Sequence, residues 1–336
     1  MDRIAPVKAN EETAQEKFHD LSVLLLTFER HENLLEILNR CKAAGIGRIY
    51  ISQDGPRQFP NEFQEKSHKY VRDIIETFSL QNPEYIDFLP RKINRGCAAN
   101  VISSCDWVFS KENRLVVIED DCLPSNDFFK FCDAALLELE RSDVAWLACG
   151  TQFIRSEAKQ DSWILSDYPL IWGWATTKKN WKEISESLKS GLNSVTKNPE
   201  LREPDKSYWR AGARRASYGF TDVWDTLLVY KMLMGNKKAI LPIENLVQNV
   251  GTDLHATHTK DNLGGKPMNM GLFVSPMNTP KLSNFHNTRL RKVVYKIKPR
   301  HLLSTKVTLV SDILRSGLSH KENFGSRIIH ANSDWT

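Results

Sequence analysis

No apolar run in this 336-residue chain approaches the roughly 18 residues that cross a bilayer, and the first residues are polar and acidic where a secretory leader carries an apolar core. A cytoplasmic address is the expectation. The six cysteines include no Cys-x-x-Cys pair, so they read as reduced packing residues and not as a metal knuckle or a dithiol redox motif. Glycine is missing where a phosphate-cradling loop would need it, since Thr27-Phe-Glu-Arg-His31, directly after the first apolar run, has none. Acids are missing from one long stretch. Between residues 262 and 311 there is no Asp or Glu, while nine Lys and Arg fall there, from Lys266 to Lys306. Such a block attracts anions. Nucleic acid is not the expected partner, because a pI of about 8.8 is modest and no nucleic-acid-binding motif is visible. An anionic membrane surface or a phosphate suits it as well, and the stripe Val307, Val310, Leu314 and Leu318 beside it reads as core or as an interfacial helix.

What is present is an ordinary globular composition, 41% hydrophobic and 26% charged, with length enough for a sizeable core. Short apolar runs alternate with helical spacing. Strands are expected over 21–28, 48–53, 85–90, 115–118, 144–149 and 239–242. Helices are expected over 34–41 and 63–80, after Asn94-Arg95-Gly96, and after a cap at Ser125 or Asn126. This alternation predicts a mostly parallel, doubly wound, Rossmann-like α/β sheet. Ligands bind such sheets beyond the carboxyl ends of the strands, which places Arg30, Asp54, Asn94, Arg95, Glu119, Asp120 and Asp121 along one crevice.

The most informative run is Arg114-Leu-Val-Val-Ile-Glu119-Asp120-Asp121. Three adjacent carboxylates at the end of a buried strand repel one another and resist desolvation, so a cation is expected to share the site. A hard divalent ion is the simplest candidate; a solvated acidic turn is the bland one. Further along, Trp172-Gly173-Trp174 reads equally as core or as a close approach to ligand. Asp222 and Asp225 are expected on one face at the start of a helix, as functional groups or as N-caps. His255 and His258 have the spacing of metal ligands on a helical turn, a weak signal.

Four of these stretches, Leu26-Thr-Phe-Glu29-Arg30, Ser52-Gln53-Asp54, Val117-Ile-Glu119-Asp120-Asp121 with Asp127-Phe-Phe129, and Trp172-Gly173-Trp174, together resemble the GT-A glycosyltransferases. The resemblance runs over 21–260, between a lead-in at 1–20 and a basic extension at 261–336. It implies a GT-A fold and inverting transfer from a nucleotide-sugar, a UDP-sugar first among them, to a glycan or lipid-linked glycan acceptor in surface polysaccharide synthesis. It further implies Mn²⁺ or Mg²⁺ on Asp121 with His258, Asp120 at the ribose, and Glu119 at the sugar. Arg30 and Asp54 would lie around the base, Asn94, Arg95, Trp172, Gly173 and Trp174 along the donor, and Asp222 or Asp225 would be the catalytic base. A sugar-phosphate nucleotidyltransferase would share the sheet and the acids but needs the glycine-rich loop missing after Thr27. A non-catalytic carbohydrate-binding protein is the rival outside enzymes.

Overall fold

The computed structural model describes residues 16–154, 162–192, 198–251, 269–276 and 278–297. Its elements run β1 (Ser22–Thr27), α1 (Leu34–Ala43), β2 (Arg48–Gln53), α2 (Glu62–Gln81), β3 (Ile86–Pro90), α3 (Cys97–Phe109), β4 (Arg114–Glu119), β5 (Cys122–Pro124), α4 (Asn126–Arg141) and β6 (Ala145–Cys149). They continue as β7 (Trp163–Ser166), β8 (Trp174–Thr177), α5 (Lys178–Lys189), α6 (Glu203–Ser217), α7 (Asp225–Met234), β9 (Lys238–Pro242), β10 (Val247–Asn249) and α8 (Asn284–Arg289), which passes into a π-helical turn.

Eight strands form one sheet in the order β3-β2-β1-β4-β8-β6-β9-β7. β1, β2, β3 and β4 are parallel, β8 runs antiparallel between β4 and β6, and β7 is an antiparallel edge on β9. The expected Rossmann-like, mostly parallel α/β sheet is therefore the fold. β1 is buried along its whole length, and its alternation divides the core. Leu24 and Leu26 face α3, α5 and α7, whereas Val23 and Leu25 face α1, α2 and α4. Each such side chain contributes roughly 1.5–3 kcal/mol by leaving water, so register on both faces is fixed.

Among the helices, α6 and the start of α7 depart from expectation. α6 was not legible, because it has no apolar stripe: its buried face is only Asp205, Trp209, Ala213, Ala216 and Ser217. It ends at Ser217, and α7 starts at Asp225. Asp222 and Asp225 therefore do not share a helix start. The intervening turn contains Gly219 at φ 71°, and it sends Asp222 toward another helix.

The described part of the basic extension packs on the sheet. Phe273 is buried in the core, and Asn287 joins β7 by accepting from the Ser166 hydroxyl and the Asp167 amide, each at 3.0 Å. At the other end Phe18, within the expected lead-in, is buried, and its amide donates to the Ala44 carbonyl at 3.1 Å. No helix among the described residues is long and apolar enough to cross a membrane. Residues 1–15, the stripe from Val307 to Leu318, His255 and His258 lie outside the described residues.

His286 of α8 is 1% exposed, and neither ring nitrogen has a partner among the described residues. Burial pushes its pKa down to about 4. A histidine held neutral in this way contributes stability above its unfolded pKa of about 6.5 and loses it as pH falls toward the folded value. Urea unfolding between pH 6.5 and 4 should show that loss, on the order of a few kcal/mol, and His286→Leu should flatten the slope.

Candidate active site

The carboxyl ends of β1, β2 and β4 meet at one crevice because parallel neighbours end in register, with Leu26 opposite Glu119 and Thr27 opposite Gln53. After β4 the chain turns through Asp120 and Asp121 and returns as β5, which pairs with β10 and so fixes the turn from both sides. The backbone amide of Phe28 donates to Asp120 Oδ2 at 2.9 Å. Arg30 lies across both acids, with Nη1 at 2.6 Å from Asp121 Oδ2 and 3.4 Å from Asp120 Oδ1. The cation expected beside the triple acid is thus supplied, in part, by the chain itself.

Burial and then the neighbouring Asp121 charge push the carboxyl groups of Glu119 and Asp120 upward. Burial works against the Arg30 charge, but Asp121 and Asp120 outweigh it, so the guanidinium pKa is raised. Asp225 belongs to the same field, since its charge adds to the rise at Glu119. Gly251 lies against Asp121 so closely that any Cβ there would strike the carboxylate.

A cleft of about 430 Å³ opens over Asp120 and Asp121. Its walls include Phe28, Glu29, Arg30, Arg57, Phe63, Gln64 and Gly251. Arg57 stacks over the Phe28 ring at 5.0 Å and holds Glu29 Oε1 through Nε at 2.9 Å, giving a flat cationic and aromatic wall. Sequence reading missed both Phe28 and Arg57. Their signal was position, since each follows the end of a strand that already pointed to the crevice.

No family model matches the chain, and no curated protein matches it. Two solved structures are similar to it over about half its length. HddC from Yersinia pseudotuberculosis shares 15% identity over 47% of this chain and 77% of that one, at a TM-score of 0.31. A candidate glucose-1-phosphate thymidylyltransferase from Bacillus anthracis, bound to a sucrose, shares 14% over 49% and 74%, also at 0.31. At these values the likeness carries no functional weight, and the fold rests on the sheet itself.

The remaining candidates divide between crevice and scaffold. Asp54 is buried, and its carboxylate accepts from the amides of Gly55, Arg95 and Gly96 at 2.9, 2.9 and 3.1 Å. Asn94 Nδ2 donates to the Gly55 carbonyl at 2.8 Å, so these residues lock the approach to α3. Burial still pushes the Asp54 carboxyl up to about 6, against the pull of those amides. Asp222 accepts from Cys97 N at 2.7 Å and Ala98 N at 3.2 Å, capping α3 where Gly96, at φ 79°, offers no side chain. Asp225 stays half-buried at the start of α7, accepting from Thr226 N at 2.7 Å.

Trp174 is 1% exposed and packs against Trp181 and Trp224 at 6.0 and 5.4 Å, as core. Trp172 is half-buried against Phe153 at 5.2 Å, and it lies two residues before the Trp174 that pairs with Val117. Gly173, at φ 69°, lets the strand pass Val247.

Asp120 and Asp121 suit a hard divalent ion in donor chemistry, since both present carboxylate oxygens to the cleft. Among the described residues no three His, Cys, Asp or Glu gather into a ready-made cage. An ion there would take its other ligands from substrate phosphates, as Mg²⁺ commonly does.

The double amide capping by Asp222 generates a prediction. Asp222→Ala should destabilise the protein by about 1–2 kcal/mol through the uncapped α3, read as a lower urea midpoint at unchanged slope.

Proposed function

We propose that the protein is a nucleotide-sugar-dependent glycosyltransferase of the GT-A type that transfers a sugar to a glycan acceptor. The observation that carries this reading is the pairing of Arg30 with Asp120 and Asp121 on the floor of a cleft, with the separate carboxylate of Asp225 close enough to act on Glu119. The two ends of the site match the two charge changes of glycosyl transfer. As the bond from the anomeric carbon to the donor diphosphate breaks, negative charge grows on the leaving phosphates. Arg30 is fixed to receive it. A divalent ion on Asp121, with Asp120 beside it, would add electrostatic stabilisation of the same group.

Asp225 is the better of the two proposed bases, because both oxygens of Asp222 already accept helix amides. It would take the proton of the acceptor hydroxyl as that oxygen bonds to the anomeric carbon, with inversion and no covalent intermediate. Glu119, which feels the charges of Asp121, Asp120 and Asp225, would take the donor sugar's hydroxyls. Phe28 and Arg57 would flank the nucleoside. Asp54 and Asp222 act as positioning residues, holding the 94–98 backbone beside the crevice.

The sugar-phosphate nucleotidyltransferase reading shares the sheet, but the loop after β1 places Arg30, and no glycine, where that chemistry needs a glycine-rich cradle. Product analysis separates the two. A panel of sugar nucleotides with Mn²⁺ should yield nucleoside diphosphate, whereas a nucleotidyltransferase would release pyrophosphate from a nucleoside triphosphate and a sugar phosphate. A carbohydrate-binding protein would turn over neither.

Asp121→Ala should abolish turnover together with the Mn²⁺-dependent part of the thermal shift given by the donor. Full Mn²⁺-dependent activity in that variant would sink the reading. Asp225→Asn should lower kcat by roughly 10²–10⁴ with little change in donor KM, since the lost interaction matters only as the proton moves. Normal turnover by Asp225→Asn would move the base elsewhere.

A further inference from the structure

α6 carries Arg202 at its N-cap and then Lys206, Arg210 and Arg214, four residues apart and so along one side of the helix. The helix dipole opposes a cation at the first of these positions, so helix stability alone does not explain the stripe. The two acids of α6 offset part of it, leaving Arg202 and Arg210 as its exposed cations and Lys206 and Arg214 half-buried. Glu203 pairs with Lys206 at 3.1 Å, and Asp205 is buried and engaged by Arg291 at 3.5 Å. That second pair, with Tyr295 edge-on to Trp209 at 4.9 Å, fixes the C-terminal segment against α6. Segments 202–217 and 284–297 together carry nine Lys and Arg against two acids. Exposed Phe285 and Val293 lie among the cations of the second segment.

We infer that this face docks on an anionic membrane surface, with the α6 stripe as its main electrostatic contact. Repeated cations without a pocket read diffuse negative charge, and apolar side chains interleaved with them suit the headgroup boundary better than nucleic acid. The inference is independent of the transfer chemistry and places the main contact on α6, with segment 284–297 of the acid-free stretch beside it.

The test uses the full-length protein with vesicles of phosphatidylcholine alone or mixed equally with phosphatidylglycerol. Co-sedimentation should require the anionic lipid and weaken with salt. Arg202→Gln with Arg210→Gln should bind about 25-fold less, roughly fivefold for each residue neutralised. Arg202→Lys with Arg210→Lys should bind as the parent does, because a membrane reads charge and not the guanidinium fork. Lys298→Gln with Arg300→Gln should cost less than the α6 pair. Thermal midpoint reports folding, and Arg210→Gln alone, at an exposed site, gives the same comparison at about fivefold if the double variant is unstable. Equal binding to neutral vesicles, no binding to anionic ones, or an α6 Gln variant that binds as the parent does would each overturn the inference. Loss in the Lys pair equal to that in the Gln pair would also overturn it, in favour of a specific phosphate clamp.

Discussion

The site depends on one electrostatic constraint, the repulsion among Glu119, Asp120 and Asp121 at the end of a buried strand. Three adjacent carboxylates persist there only if the surroundings supply positive charge and amide donors. Arg30 and the Phe28 amide come from the neighbouring strand end, and the antiparallel pairing of β5 with the distant β10 holds the turn in place. Gly251 completes the enclosure, because only a residue without a side chain passes so close to Asp121. A crevice held by such balanced charges is prepared for a ligand that brings phosphates and a cation together.

A second set of acids works on the backbone. Asp54 gathers three amides and Asp222 two, and between them they hold the entry to α3 from opposite sides. Gly96 stands where the two clamps meet, in a left-handed conformation beside the Asp222 carboxylate. The α3 N-terminus is thereby satisfied without an N-cap side chain of its own. Asp225, eight residues beyond the end of α6, is left at the start of α7, where its charge acts on Glu119.

Much of this was legible in the text. The early strands and helices follow from short apolar runs and period-3.6 patterns with Gly, Pro and Ser at their ends, and Ser125 caps α4 as its position suggested. The crevice was legible because strand ends collect polar residues in a parallel sheet. α6 was not, since a helix that buries little beyond Trp209 and three small residues has no apolar stripe to announce it. The antiparallel insertion of β8 was also hidden, because strand direction depends on the connection and not on side-chain period.

By itself, the sequence determined the alternating α/β order, the acidic end of β4 and the glycine-free loop that brings Arg30 to it. All are local, set by residues that are neighbours in the chain. Only the tertiary structure decided which carboxylates face the crevice and which serve as caps. Asp222 and Asp225 look alike in the text. They part because Asp222 meets the amides of Cys97 and Ala98, more than a hundred residues away, and no spacing along a chain encodes a partner brought together by packing.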